Sequence, residues 1–107
     1  MPIKATKATL KSLTAKGTVV VDFWAPWCAP CKVLDPILTA LEQELPGLTV
    51  LRYNVEDDAS FPQAMGVMSV PTLVVYQHGE AKEKVHGVYP KEKLKRYFEQ
   101  KLEAART

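Results

Sequence analysis

The sequence predicts an α/β protein with a central mixed β-sheet of about four to five strands, flanked by about four helices. Residues 18–24 are nearly continuously apolar, as a strand buried on both faces is, and a second apolar strand is predicted at about 48–55. Residues 29–45 between them repeat apolar side chains at helical spacing. Because strands joined through helices are commonly parallel, we expect the segments 18–24 and 48–55 to run in the same direction.

The remaining elements follow in chain order. After a weak initial strand, residues 6–16 predict a short helix, with Gly17 as its stop. A second short helix is predicted at 58–65, opened by acidic residues that suit the positive end of a helix dipole. Residues 72–77 and 80–87 predict the two antiparallel strands of a hairpin. A final helix is predicted at 90–105. Where a helix joins two strands, we expect the second strand to run parallel to the first.

Length and composition indicate a soluble globular protein, which we take as one domain over residues 1–107. Hydrophobic residues make up 47% of the chain and charged residues 24%. No apolar run approaches the roughly 20 residues that span a bilayer, so we expect no membrane partner. The segment before Gly17 carries four lysines and no apolar block. We therefore expect no signal peptide and a cytoplasmic location, where a close cysteine pair is more often catalytic or metal-binding than structural.

Basic residues are concentrated in the last quarter of the chain, although the net charge is only +2. They are Lys82, Lys84, Lys91, Lys93, Lys95, Arg96, Lys101 and Arg106. Glutamates are interleaved among them. This alternation is typical of a solvated helix face, and we expect no nucleic-acid partner.

The two cysteines, Cys28 and Cys31, lie at the junction between the strand at 18–24 and the long helix. In a regular helix, positions i and i+3 hold their Cβ atoms about 5–6 Å apart, whereas a disulfide needs about 3.5–4.5 Å. The pair therefore fits best if Cys28 caps the helix and Cys31 lies in its first turn. Pro30 agrees, because early helical positions have no intrahelical partner for a backbone N–H.

This placement predicts redox chemistry. The positive end of the helix favours the thiolate of Cys28, and only a thiolate attacks a disulfide. Cys31, one turn inside and less exposed, would resolve the mixed disulfide. A zinc site would need two further ligands, for which only His78 and His86 remain, without tight pair spacing. A purely structural disulfide would close a very short loop and constrain the unfolded chain little.

Residues 21–32, with Pro36-Ile37-Leu38 after them, resemble the active-site segment of the thioredoxin family. The resemblance continues through Val70-Pro71-Thr72-Leu73, Gly79, Gly87 and the final helix, so it covers essentially the whole chain. It implies the thioredoxin fold. One residue departs from the family pattern, because Ala29 stands where glycine is usual. The added Cβ restricts the backbone and places a methyl group where the resemblance implies the edge of a substrate groove. The resemblance therefore does not predict the redox potential of this chain or how its partners dock.

The resemblance implies a role for each site residue. Cys28 resembles the exposed nucleophile and Cys31 the resolving cysteine. Asp22 resembles the buried acid that accepts or relays the Cys31 proton, and burial in an apolar strand should raise its pKa. The alternative is an Asp at a strand end that faces solvent. Arg52, where the family usually has lysine, and Lys32 are the cations expected to tune this site. Arg52 either pairs with Asp22 or faces outward.

A substrate groove around Cys28 is also implied. Its expected members are Trp27, Ala29, Pro30, Val70, Pro71 and Gly87. Pro71 resembles the family's cis-proline, and backbone groups at Val70 could pair with an extended substrate segment. Trp24 reads as a core aromatic residue, and Pro36 should kink the long helix.

The expected function is that of a monomeric protein-disulfide reductase, a general cytoplasmic electron donor. Its expected partners are disulfide-containing proteins and an NADPH-dependent flavoprotein thioredoxin reductase. We expect no bound cofactor, since the chain has no Gly-x-Gly-x-x-Gly fingerprint. The alternatives are a disulfide oxidase or isomerase on the same fold, and a redox-indifferent module that binds partners through the groove.

Overall fold

The computed structural model describes residues 2–105, so Arg106 of the predicted basic face lies outside the described residues. Within this range the chain forms five strands and four helices. In chain order they are β1 (Ile3–Lys4), α1 (Lys7–Leu13), β2 (Thr18–Trp24), α2 (Ala29–Glu44), β3 (Leu48–Asn54), α3 (Ser60–Ala64), β4 (Thr72–Gln77), β5 (Glu80–His86) and α4 (Lys91–Ala105). None of these helices is long and apolar enough to cross a membrane. The mixed sheet with four helices confirms the predicted fold class.

Strand β2 lies at the centre of the sheet, whose order is β1-β3-β2-β4-β5. It pairs with β3 in parallel and with β4 antiparallel. The parallel pair depends on α2, because a helix of 16 residues rises about 24 Å and returns the chain along the length of the sheet. The hairpin of β4 and β5 is antiparallel, as predicted.

The direction of β4 corrects one expectation. A helix, α3, joins β3 to β4, and strands joined in this way were expected to be parallel. Instead β4 runs antiparallel to β2 and therefore opposite to β3. The physical reason is length, because the 5 residues of α3 rise only about 7.5 Å. The 7 residues of β3 span about 23 Å, so α3 cannot carry the chain back along the sheet.

The two faces of β2 are both buried, as the continuous apolar run predicts. On one face Val20 packs with leucines of α2 and with Phe98 of α4. On the other face Val21 and Phe23 pack in a cluster that includes Leu10 of α1. The side chains of a strand alternate between faces, so Asp22 and Trp24 share the Val20 face, which α2 covers.

The short helices are shorter than predicted because side chains determine their ends. Thr6 caps α1 in a reciprocal pair with Thr9, and the Thr14 hydroxyl donates to the carbonyl of Leu10 at its other end. Asp58 precedes α3 rather than opening it, and accepts from the backbone N–H of Ser60 at 3.0 Å. Helix α2 continues through Pro36, and the kink there stays a prediction.

Candidate redox site

Cys28 and Cys31 form a disulfide at the start of α2, with their Cα atoms 5.3 Å apart. Cys28 is the N-cap residue and has extended backbone angles, while Cys31 lies in the first turn. The backbone N–H of Cys31 donates to Cys28 Sγ at 3.2 Å. Pro30 occupies an early helical position, where it costs no hydrogen bond. The placement predicted from disulfide geometry is therefore confirmed.

The surroundings of the pair correct the expected exposure of Cys28. The two cysteines are almost equally buried, with 3% of Cys28 and 2% of Cys31 exposed. They form a small apolar cluster, against which Trp24, Val55 and Val70 pack. The disulfide holds both sulfurs within this cluster, so exposure does not distinguish the cysteines in the oxidised form. What distinguishes them is that, among residues 2–105, only Cys28 Sγ accepts a hydrogen bond from a helix N–H.

Asp22 lies fully buried on β2, on the sheet face that α2 covers. Neither of its carboxylate oxygens has a hydrogen-bond partner among residues 2–105. Burial raises the pKa of Asp22 to about 7, although the Arg52 charge acts to lower it and the Asp35 charge to raise it. The alternative of an Asp that faces solvent is excluded, and the expected rise in pKa agrees with the structure.

Arg52 lies beside Asp22 in the register of β2 and β3 but does not pair with it. Its Nε lies 3.2 Å from Asp35 Oδ1, and its guanidinium carbon lies 4.3 Å from the centroid of the Trp24 ring. Of the two alternatives for Arg52, pairing with Asp22 is therefore wrong, because Asp35 and the Trp24 ring hold the guanidinium. Lys32 is exposed and forms no ion pair with the described part of the chain.

An apolar groove of about 210 Å³ lies beside the disulfide cluster. Its lining residues are Trp27, Val55, Ala59, Pro62, Gln63, Val67, Met68, Ser69 and Val70. Trp27 is 69% exposed, and its indole N–H donates to Glu56 Oε2 at 2.7 Å. Met68 is 87% exposed at the groove. The groove is therefore an open apolar surface next to the redox centre.

The predicted groove residues are only partly brought together. Trp27 and Val70 line the groove. The Val70–Pro71 peptide bond is cis, as the resemblance implied, and the backbone N–H of Gly87 donates to the Pro71 carbonyl at 3.0 Å. Ala29 and Pro30 are exposed at the start of α2 and are not among the residues that line this groove.

Sequence reasoning missed the groove wall contributed by α3 and the segment after it. The available signal was a pair of apolar residues, Val67 and Met68, outside any predicted element. Asp35 was also missed. It is an acidic residue within an apolar helical pattern, immediately before Pro36, and its partner Arg52 is far away in sequence.

The two histidines considered for zinc lie apart on the hairpin, His78 in its turn and His86 at the end of β5. His86 Nδ1 lies 3.0 Å from the Thr72 hydroxyl, and His78 occupies the turn with a φ of 53°. Within residues 2–105 no group of three or more His, Cys, Asp or Glu side chains could hold a metal ion.

Comparison with known proteins identifies the family. Residues 2–100 match the protein-family model described as Thioredoxin. The chain belongs to the thioredoxin family. It is 42% identical over 93 residues to thioredoxin from Bacillus subtilis (strain 168), covering 86% of this chain and 89% of that protein. It is 38% identical over 101 residues to a Staphylococcus aureus (strain MW2) thioredoxin, covering 94% and 97%.

A solved structure shows the same architecture. A single-substitution mutant of thioredoxin from Halobacterium salinarum NRC-1 matches with a TM-score of 0.87 and 32% sequence identity, over 92% of this chain and 88% of that chain. The predicted thioredoxin fold and family are therefore confirmed. Membership of the thioredoxin family, with a cysteine pair at disulfide distance, makes this chain a protein-disulfide reductase.

Proposed function

We propose that Cys28 is the attacking nucleophile of this protein and Cys31 the resolving cysteine. The Cys28 thiolate attacks one sulfur of a target disulfide, which forms a mixed disulfide and releases the other target sulfur as a thiolate. Cys31 then attacks Cys28 Sγ, forms the Cys28–Cys31 bond and releases the second target thiolate. The target gains two electrons, and the protein dithiol loses them. The helix N–H at Cys28 Sγ is the single observation that carries this assignment.

Asp22 is the proton acceptor for Cys31 in this proposal. It is the fully buried acid on the sheet face covered by α2, and its neighbour on that face, Trp24, packs against the cysteine cluster. A pKa of about 7 lets the carboxyl group exchange a proton near neutral pH. In the resolving step, the Asp22 carboxylate takes the Cys31 thiol proton as Cys31 attacks.

The groove around the disulfide binds the target segment. Its apolar wall suits an extended chain, and two of its lining residues, Val55 and Val70, also pack against the cysteine cluster. The Val70 backbone makes no hydrogen bond within residues 2–105, so its N–H and C=O are free to pair with a substrate strand. Pro71 follows Val70 directly and accepts a hydrogen bond from the Gly87 N–H, and the exposed Ala29 and Pro30 at the helix start contact the target outside the groove wall.

The reducing equivalents come from an NADPH-dependent flavoprotein thioredoxin reductase, which returns two electrons and two protons to the Cys28–Cys31 disulfide. The protein works as a monomer in the cytoplasm, where the reducing poise keeps such a dithiol available. A single thioredoxin domain over residues 1–107 is supported by the family match over residues 2–100.

The cysteine roles are tested with Cys28→Ser and Cys31→Ser in an insulin-reduction assay driven by dithiothreitol. Both variants should lose turnover, and only Cys31→Ser should accumulate a mixed disulfide with the target, because it retains the nucleophile. Val33→Ser, an exposed position on the same helix, is the matched control and should turn over normally. Accumulation of the mixed disulfide in Cys28→Ser instead would reverse the roles.

The direction of the reaction is tested by the reduction potential. The protein is equilibrated with defined ratios of reduced to oxidised dithiothreitol, and its free thiols are then trapped and counted. A potential near the reducing end of the thioredoxin-like range, about −270 mV, is expected for a reductase. A potential near about −120 mV would instead support a disulfide oxidase.

A further inference from the structure

One guanidinium lies between two carboxylates beside the redox centre. Asp22 and Arg52 are direct partners in the parallel register of β2 and β3, about 4.8 Å apart across the ladder. Paired residues point to the same face, so both side chains project toward α2, which carries Asp35. The Arg52 side chain is long enough to reach either acid.

Arg52 is held by Asp35. Its Nε lies 3.2 Å from Asp35 Oδ1, and this contact is an ion pair without hydrogen-bond geometry. The Asp35 side chain is 38% exposed, whereas Asp22 is fully buried. The guanidinium therefore lies with the more exposed of the two carboxylates, and the Asp22 oxygens have no hydrogen-bond partner in the described chain.

Trp24 provides the second contact that orients Arg52. The guanidinium carbon lies 4.3 Å from the ring centroid, within the range of a cation–π interaction. Trp24 also packs against the Cys28–Cys31 cluster. Asp35 is one helical turn after Cys31, at the i+4 position. The ion pair thus connects β3 to the helix that carries the dithiol.

We propose that Asp35 is a positioning residue of thiol–disulfide exchange: it holds the Arg52 guanidinium over Trp24 and so keeps this cation off the Asp22 carboxyl group. The inference rests on the proposed role of Asp22 as proton acceptor. The charged groups acting on Asp22 are Arg52 from β3 and Asp35 from α2, while its partner on β4 is Leu73. Lys4 on β1 is paired with Asp57 at 3.8 Å.

Removal of the Asp35 charge should lower the pKa of the Asp22 carboxyl group. Arg52 loses its partner and can turn toward the neighbouring carboxylate, and an opposite charge within about 4–6 Å lowers the pKa of an acid by about 1–3 units. The direct repulsion between the two acids is also lost, which acts in the same direction. The experiment must therefore separate repositioning of Arg52 from loss of this repulsion.

The Asp22 side-chain carboxyl carbon is followed by NMR through a pH titration of the oxidised protein, in which neither cysteine carries a proton. Asp35→Asn should lower the Asp22 midpoint by about 1 pH unit or more. Asp35→Glu, which keeps the carboxylate, should restore most of the wild-type value. Glu44→Gln removes the same charge from the other end of α2, where Glu44 pairs with Lys95 at 3.3 Å, and should leave the midpoint unchanged.

The Arg52→Met background separates the two causes. If Asp35 acts through Arg52, then Asp35→Asn should shift the Asp22 midpoint much less in this background than in the wild type. An equal shift in both backgrounds would show that Asp35 acts only by its own charge and would overturn the proposal. An unchanged midpoint in Asp35→Asn would overturn it as well. A merely structural role for Asp35 would change the unfolding midpoint and leave the Asp22 titration in place.

The rate of the resolving step provides a second, independent test of the role of Asp35. The pH profile of the resolving step, measured as release of a preformed mixed disulfide, should move toward lower pH in Asp35→Asn by the same amount as the Asp22 titration. Asp22→Asn tests the proposed function separately. If Asp22→Asn resolves at the wild-type rate at every pH, the role of Asp22 fails, while the effect of Asp35 on the Asp22 titration is still decided by NMR.

Discussion

Cys28 Sγ accepts a hydrogen bond from the backbone N–H of Cys31 at 3.2 Å, so the sulfur of the first cysteine caps the helix that carries the second. This contact makes the two sulfurs chemically different although they are equally buried. The helix end and its N–H group favour negative charge on Cys28, whereas Cys31 donates the hydrogen bond through its own backbone.

Unequal alkylation of the two cysteines is the first expected outcome. In the reduced, folded protein near neutral pH, a limiting amount of iodoacetamide should modify Cys28 about tenfold faster than Cys31, because the thiolate is the reactive form. Peptide mapping by mass spectrometry measures both rates. The same experiment in denaturant, where α2 is absent, is the control and should give similar rates. Similar rates in the folded protein would contradict the capping argument.

The stability of the oxidised protein should fall as pH rises through the neutral range. Asp22 binds its proton more tightly when folded, with a pKa of about 7 against the ordinary value of 3.8. The Asp22 contribution to the free energy of unfolding is therefore greatest below about pH 4 and declines up to about pH 7, by about 4 kcal/mol in total. Asp22→Asn removes this decline. Urea unfolding at about pH 4 and about pH 8 should show the variant stabilised only at the higher pH.

Glu44→Gln is the matched control for this pH dependence. The contribution of Glu44 to stability changes with pH in the opposite direction to that of Asp22. Hydrogen bonds from Lys91 and Lys95 lower the pKa of Glu44. Its contribution is present above the ordinary pKa of a glutamate and is lost as pH falls through the lower folded value. Glu44→Gln should therefore destabilise the protein at about pH 8 more than under acidic conditions. Parallel pH curves for Asp22→Asn and the wild type would contradict the Asp22 argument.

The apolar groove should discriminate substrates. Met68→Lys places a charge at the groove without disturbing the core, since Met68 is almost fully exposed. We expect the KM for a protein disulfide flanked by apolar residues to rise about tenfold, which corresponds to about 1.4 kcal/mol. Steady-state kinetics measures it. Ile3→Lys adds the same charge at an exposed apolar residue of β1 and should leave KM unchanged. Equal KM values for both variants would show that the groove does not bind the target.

The contact between α2 and the sheet should dominate stability. Leu38 is buried in the cluster that joins α2, α4 and β2. Leu38→Ala should lower the free energy of unfolding by about 2–5 kcal/mol, because it removes apolar contacts and leaves a cavity. Val33→Ala, on the exposed side of the same helix, should change it by less than about 0.5 kcal/mol. Chemical unfolding measures both, and a small effect at Leu38 would contradict the packing described.

The elements with a continuous pattern were predicted to the residue or nearly so. The bounds of β2 and β4 match the prediction, and α2 ends one residue earlier than expected. The apolar patterns that predict these elements are formed by residues close together in the sequence. The ends of α1 and α3 were misplaced, because Thr14 and Asp58 bind backbone groups there and such local hydrogen bonds compete with the helix.

What the sequence by itself determined is the dithiol at the start of a helix, the burial of Asp22 within an apolar strand and the alternation of helices with strands. These follow from the chemistry of consecutive residues. Only the tertiary structure decided the direction of β4, the equal burial of the cysteines, the groove wall from α3 and the choice of Asp35 as partner of Arg52. Each depends on the distance between groups that are remote in the chain, which packing sets. The helix start at Cys28 follows from residues that are adjacent in the chain. The contact between Arg52 and Asp35 joins residues that are remote in the chain, so the sequence did not predict it.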